Sequence, residues 1–295
     1  MRFFCCCFSI LFTLFISSCD YSKQQYLKPK PSFEKVKGIE FTEVRRSFKN
    51  GLAFSESGFY LEPNWKMKFL FKDSVRLFNP LDNHSYNFHV HLDHDSVIYM
   101  ARVWMRVKHV SRDSMVFQLL KVRGKEIAND IPTINMIFYA DNYIKHNLKT
   151  FPDLLQQARK NDSAFVKKRI EKINSYEDSI FFPQQPEELI SQSPIIAVKK
   201  KNIDNDALKN MGKTDENLLP EYNIIINKSY RDFNYSFYVI IDPKGKIHYR
   251  SNAVYIMPEF KESKIRTMKG IIDVYLQRLL KVSPGRTLGM PHNTL

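Results

Sequence analysis

From about residue 38 to residue 140, apolar and polar side chains alternate along the chain at the period of a β-strand. Val97, Tyr99, Ala101, Val103, Met105 and Val107 interleave with Arg102, Arg106 and Lys108. That alternation predicts one half-buried antiparallel strand. Residues 111–114 then supply a turn into residues 115–122, which are rich in β-branched and aromatic side chains, so the two runs should form a hairpin. Further strands are expected over residues 75–78, 86–92 and 133–139, with Tyr86, Phe88, Val90 and Leu92 on the core side. A twisted antiparallel sheet or small barrel is the expected result.

The period changes after residue 150. Thr150 with Asp153 is an N-terminal cap signature, Pro152 suits a first helical turn, and Val166, Ile170 and Ile173 share one helical face. Residues 182–220 lose the pattern to Pro, Gln, Lys and Asn and read as a linker or long surface loop. Beyond it, residues 235–241 and 246–249 flank Asp242, Pro243, Lys244 and Gly245, which predicts a tight hairpin. Ile265, Met268, Ile272, Tyr275, Leu276 and Leu279 then mark one face of a long helix that should cover the hairpin and stop before Pro284 and Gly285. The expected fold class is α+β: a β-rich antiparallel N-terminal domain (38–149), a helical segment and linker (150–220), and a small hairpin-plus-helix unit (221–295).

The N-terminus follows different rules. Met1 and Arg2 precede an almost wholly apolar run over residues 3–16, followed by Ser17 and Ser18. The run is shorter than the roughly 20 residues a membrane-spanning helix needs, and its layout is that of a secretory signal. Ile16, Ser17, Ser18 and Cys19 resemble the lipobox of bacterial lipoproteins, with Ile where Leu is commoner and Ser where Gly or Ala is commoner. The resemblance implies a signal peptide over residues 1–18 and acylation of Cys19, as with palmitate. It also implies a periplasm-facing protein anchored in the cell membrane or outer membrane. Polar residues 20–37, with Lys28, Pro29, Lys30 and Pro31, suit a flexible tether.

Composition narrows the chemistry. Cys5, Cys6 and Cys7 lie in the leader, so Cys19 is the one cysteine of the mature chain, and lipid would occupy it. Disulfides, thiol nucleophiles and cysteine-bound metals are thereby excluded. The nine glycines are too sparse for a dinucleotide fingerprint or a phosphate-binding loop, and no Gly-x-Ser-x-Gly elbow occurs. No cofactor is therefore expected. Lys and Arg number 45 against 31 Asp and Glu, a formal net charge of +14 that falls by one when Arg2 leaves with the signal. For an exported chain the natural counter-charge is anionic lipid or another envelope component, or an envelope protein, rather than nucleic acid.

Two motifs carry resemblances. His89, His91, Asp93 and His94 resemble the first metal-binding motif of the metallo-β-lactamase superfamily. That resemblance implies zinc on His89 and His91, a second metal on Asp93 and His94, and hydrolysis by metal-bound hydroxide. The same residues also read as the wet face of a strand, with a turn at His94 and Asp95. His84, His109, His146, His248 and His292 read as surface or strand-end residues. The hairpin, helix and Pro284–Gly285 turn of the C-terminal unit resemble the C-terminal domain of TonB-type transducers, which implies pairing with a receptor by strand addition. The expected role is a non-catalytic binding or envelope-interaction module with no catalytic or metal site; the alternative is a metal-dependent hydrolase.

Overall fold

A computed structural model describes residues 31–80, 82–124, 126–128, 132–176, 179–201, 220–227, 229 and 232–295. Cys19 and the signal segment lie outside the described residues, as does most of the tether. The chain is an α+β protein dominated by strands, as the alternation requires. Eleven strands come first: β1 (Glu40–Phe48), β2 (Lys66–Phe71), β3 (Ser74–Asn79), β4 (His84–His89), β5 (His91–Leu92), β6 (Val97–Met100), β7 (Val103–Val110), β8 (Ser114–Leu120), the short β9 (Val122–Arg123) and β10 (Glu126–Ile127), and β11 (Ile134–Ala140).

Nine of these form one antiparallel sheet in the order β4-β3-β2-β1-β11-β8-β7-β6-β5. Its two outermost strands, β4 and β5, are separated in sequence by Val90 alone. Consecutive Cα atoms are about 3.8 Å apart, so the opposite edges of the sheet must meet there. The Val90 amide still donates to the Asp73 carbonyl at 2.7 Å, while His91 already pairs with Tyr99 across the seam. The sheet is thus a nearly closed barrel, stitched by its own chain.

The predicted strand through residues 97–107 is two strands. Ala101 and Arg102 both have positive φ (48° and 64°) and turn β6 back on β7, with Met100 opposite Val103. Asp95 and Ser96 (47° and 68°) make a second such turn, closed by the Val97 amide on the His94 carbonyl. Both are turns whose twist matches paired strands, normally built from Asn and Gly. Here the turn residues are neither, and apolar alternation runs through Ala101 uninterrupted.

Inside the barrel Met67, Phe69, Val75, Leu77, Ile98, Met100, Met105, Met115, Phe117, Met136 and Phe138 are buried. Phe33 and Val36, from a short 3-10 turn at Glu34–Val36, join this core, and Phe33 stacks on Phe69 with ring centroids 4.0 Å apart. Each such side chain contributes about 1.5–3 kcal/mol. Tyr86, expected on the core side, is exposed, whereas Phe88, Val90 and Leu92 do join the core.

Three helices follow: α1 (Asp141–His146), α2 (Pro152–Gln156) and α3 (Lys160–Asn174). Pro152 occupies the first turn of α2, but Thr150 caps nothing; Phe151 holds the cap position. Val166, Ile170 and Ile173 of α3 pack with Ala53, Phe54 and Phe181, as their spacing predicts for one buried face.

Residues 182–220 are not wholly linker. β12 (Glu188–Ser191) and β13 (Ile196–Lys200) fall within them and pair with later strands; residues 202–219 lie outside the described residues. Their partners are β14 (Tyr222–Ile226) for β13 and β17 (Leu280–Ser283) for β12. β15 (Phe237–Ile241) and β16 (Ile247–Asn252) form the predicted hairpin, with Gly245 at φ 80° where its turn needs a left-handed residue. Helix α4 (Pro258–Ile271) runs on through a widened π turn at Ile272–Leu276, and Ile271, Ile272 and Leu276 pack on Ile241 and Ile247. The final hairpin is β18 (Arg286–Thr287) with β19 (Met290–Pro291).

Candidate functional site

The histidine motif lies across the barrel seam. Because Phe88, Val90 and Leu92 face the core, His89 and His91 project together to the outside, where both are exposed. Asp93 is half-buried, and its carboxylate meets His94 Nδ1 at 3.1 Å, which holds Asp93 below the usual carboxylate range. His84, His109 and His146 are exposed as well. Among the described residues, no three His, Cys, Asp or Glu side chains are grouped so as to hold a metal ion.

Two buried ionisable groups, Glu43 and Arg45, lie on β1, and each is bonded to an oppositely charged side chain. Glu43 lies opposite Phe138 and so faces the barrel interior. Its carboxylate takes Arg46 Nε at 2.8 Å and Nη2 at 2.7 Å, together with the amides of Asn64 and Trp65 at 3.2 Å. Burial raises its pKa, while Arg46 and the two amides pull it back. On the opposite face of β1, Arg45 reaches the buried Asp162 of α3 through two bonds of 2.6 and 3.0 Å. Asp162 also accepts the amides of Ala53 and Arg159. Burial works against the Asp162 charge, but these four donors outweigh it and keep the acid below its usual range. The pair pins α3 to the barrel. Only proximity in the fold reveals it, for 117 residues separate the partners.

A second cluster surrounds the C-terminus. His292, expected at the surface, is fully buried, because Phe181 packs edge-on against its ring and Thr287 meets its Nε2 at 2.9 Å. Its Nδ1 faces the Asn293 carbonyl at 3.2 Å; a carbonyl only accepts, so Nδ1 carries the proton and Thr287 donates to Nε2. Burial lowers the His292 pKa and keeps the ring neutral. A hydroxyl hydrogen-bonded to an imidazole is the geometry of proton abstraction. Here both residues are wholly enclosed, so the pair fastens the β18–β19 hairpin instead.

Glu187 is buried nearby, beside the Thr294 hydroxyl. Burial raises the Glu187 pKa, and that hydroxyl and the Lys200 charge pull it only partly back down. Tyr222, whose hydroxyl donates to the Glu187 carbonyl at 2.7 Å, is pushed up to about 12 by burial and by the Glu187 charge. Thr294 bridges to Ile241, so this chain's own residues occupy one end of the β15 edge.

The outer surface offers a different feature, absent from the sequence reading. Between β16 and α4 the chain carries Val254, Tyr255 and Met257, and Phe260 follows in the first turn of the helix. These four are 59%, 85%, 60% and 56% exposed. The Ala253 amide fixes the start of the segment on the Ser236 carbonyl, and the Phe260 amide donates to the Met257 carbonyl. Residues 257–264 are all exposed, so the first half of α4 projects from the body, and Lys261, Lys264, Arg266 and Lys269 are exposed along it. No helix among the described residues is long and apolar enough to cross a membrane. No known family model matches the chain, and no curated protein matches it significantly.

Proposed function

We propose that the protein is a lipid-anchored, periplasm-facing lipoprotein that acts as a non-catalytic binding module at the cell envelope. The observation that carries this reading is the apolar run over residues 3–16 that exits through Ile16, Ser17 and Ser18 into Cys19. The folded part is consistent with it. The buried groups Glu43, Asp162 and His292 are held by partners inside the fold, and the surface presents an unpaired apolar segment beside a basic helix.

The test is metabolic labelling of the full chain with radioactive palmitate, followed by membrane fractionation. The expected outcome is a labelled, membrane-bound protein, and a Cys19→Ala variant that takes up no label. Labelling of that variant would overturn the anchor. A metal-dependent hydrolase using His89, His91, Asp93 and His94 would lose its activity in His89→Ala. A binding module should tolerate that exposed change within about 0.5 kcal/mol of stability.

A further inference from the structure

We infer that the segment Val254, Tyr255 and Met257, with Phe260 of α4, is a second membrane contact that inserts into the headgroup layer of an anionic bilayer. The inference rests on the anchor reading above, and deepens it by naming what the exposed surface touches. Single exposed apolar residues are ordinary, but four large ones within seven positions on a projecting tip form a patch that water does not favour. Tyr is the side chain that suits a boundary with one wet and one apolar side.

Charge selects the occupant. From residue 250 to residue 269, on either side of the tip, the basic residues are Arg250, Lys261, Lys264, Arg266 and Lys269, and the acidic ones are Glu259 and Glu262 alone. A protein groove would bury the apolar tip equally well, yet gains nothing general from that excess. An anionic lipid surface gains about 1 kcal/mol for each basic side chain near it, while the apolar tip enters the boundary. The tether permits this contact: Pro31 is twelve chain steps after Cys19, so the first described residue lies within about 40 Å of an anchored cysteine.

The full-length lipidated protein is reconstituted into vesicles of phosphatidylcholine alone, or of phosphatidylcholine with phosphatidylglycerol. Flotation on phosphatidylcholine alone reports the Cys19 anchor. An environment-sensitive fluorophore on Tyr255→Cys reports the tip, with the same fluorophore on the exposed Lys108→Cys as the control. The expected result is a blue-shifted emission at position 255, quenched by brominated lipid, in the anionic vesicles only; position 108 stays in water.

If the protein floats but position 255 behaves as position 108 does in both vesicles, the tip contact is wrong and the anchor stands. If the protein does not float on phosphatidylcholine, the anchor is wrong, and flotation on the anionic vesicles decides the tip. There, Tyr255→Asp with Met257→Asp should weaken binding about tenfold or more. Equal binding of that variant overturns the contact. So does a lipid-independent shift at position 255 that grows with protein concentration, which would assign the patch to a second copy of the chain.

Discussion

At the scale of the residue, the strongest commitments are buried charges that have found one another. Asp162 takes four hydrogen bonds, two of them from Arg45. Asp162→Asn would leave the Arg45 guanidinium buried without its counter-charge, and should cost about 3–5 kcal/mol in urea unfolding. Replacing both residues by Leu and Met should recover much of that loss. Glu187 is the opposite case, a buried carboxylate whose partners do not offset its loss of water. Its folded pKa is raised above 4.5, so between 4.5 and that raised value the folded state holds a proton the unfolded chain has lost. Stability therefore falls as pH rises through this window. Glu187→Gln should stabilise the protein by about 1 kcal/mol at neutral pH. The advantage should vanish below pH 4.5 in parallel melts. An advantage that persisted into acid would assign the effect to packing rather than ionisation.

At the scale of the element, the hairpin turns carry a cost that better residues would remove. Arg102 is exposed and left-handed at φ 64°, a conformation that costs a non-glycine residue about 1–2 kcal/mol. Arg102→Gly should raise the urea midpoint by about 1 kcal/mol equivalent without altering the β6–β7 register. The same turn explains where the sequence was readable. Alternation revealed β3, β7, β8 and β11 because one face of each meets the packed interior and the other meets water. It could not reveal the turn at Ala101, whose small apolar side chain keeps the period while the backbone reverses. Nor did it reveal β1, where Glu43 and Arg45 look like solvent-facing residues and are in fact buried against Arg46 and Asp162. β12 and β13 are too short, and too closely flanked by Pro and Gln, to show a period of their own. Helix faces survived better: Val166, Ile170 and Ile173, and Met268, Ile272 and Leu276, are buried as their spacing requires. The candidate histidines were legible as a strand face, but the burial of His292 was not, since it depends on Phe181, over a hundred residues earlier.

At the scale of the whole molecule, α3, the segment that follows it and the C-terminal unit meet at Asn293. Its side chain donates to the carbonyls of Ile173 and Tyr176, and its carbonyl accepts the Phe181 amide. The next residue, Thr294, exchanges two backbone hydrogen bonds with Ile241 of β15. Asn293→Ala should therefore speed amide exchange at Phe181, at Ile241 and at the end of α3 together, and leave β2 and β3 unchanged. Independent rates at these sites would show that the junction does not couple them. The barrel core has a consequence of another kind. Met67, Met100, Met105, Met115 and Met136 are sealed inside it, whereas Met257 stands in water. Sulfoxide formation adds a polar oxygen that such a core cannot accept, and it requires peroxide to reach the sulfur. Under dilute peroxide, mass spectrometry should find Met257 oxidised well before the five interior thioethers, which react only as fast as the barrel opens. Each oxidised barrel is then less able to reclose, so in an oxidising compartment the interior sulfurs set a clock on the lifetime of the fold.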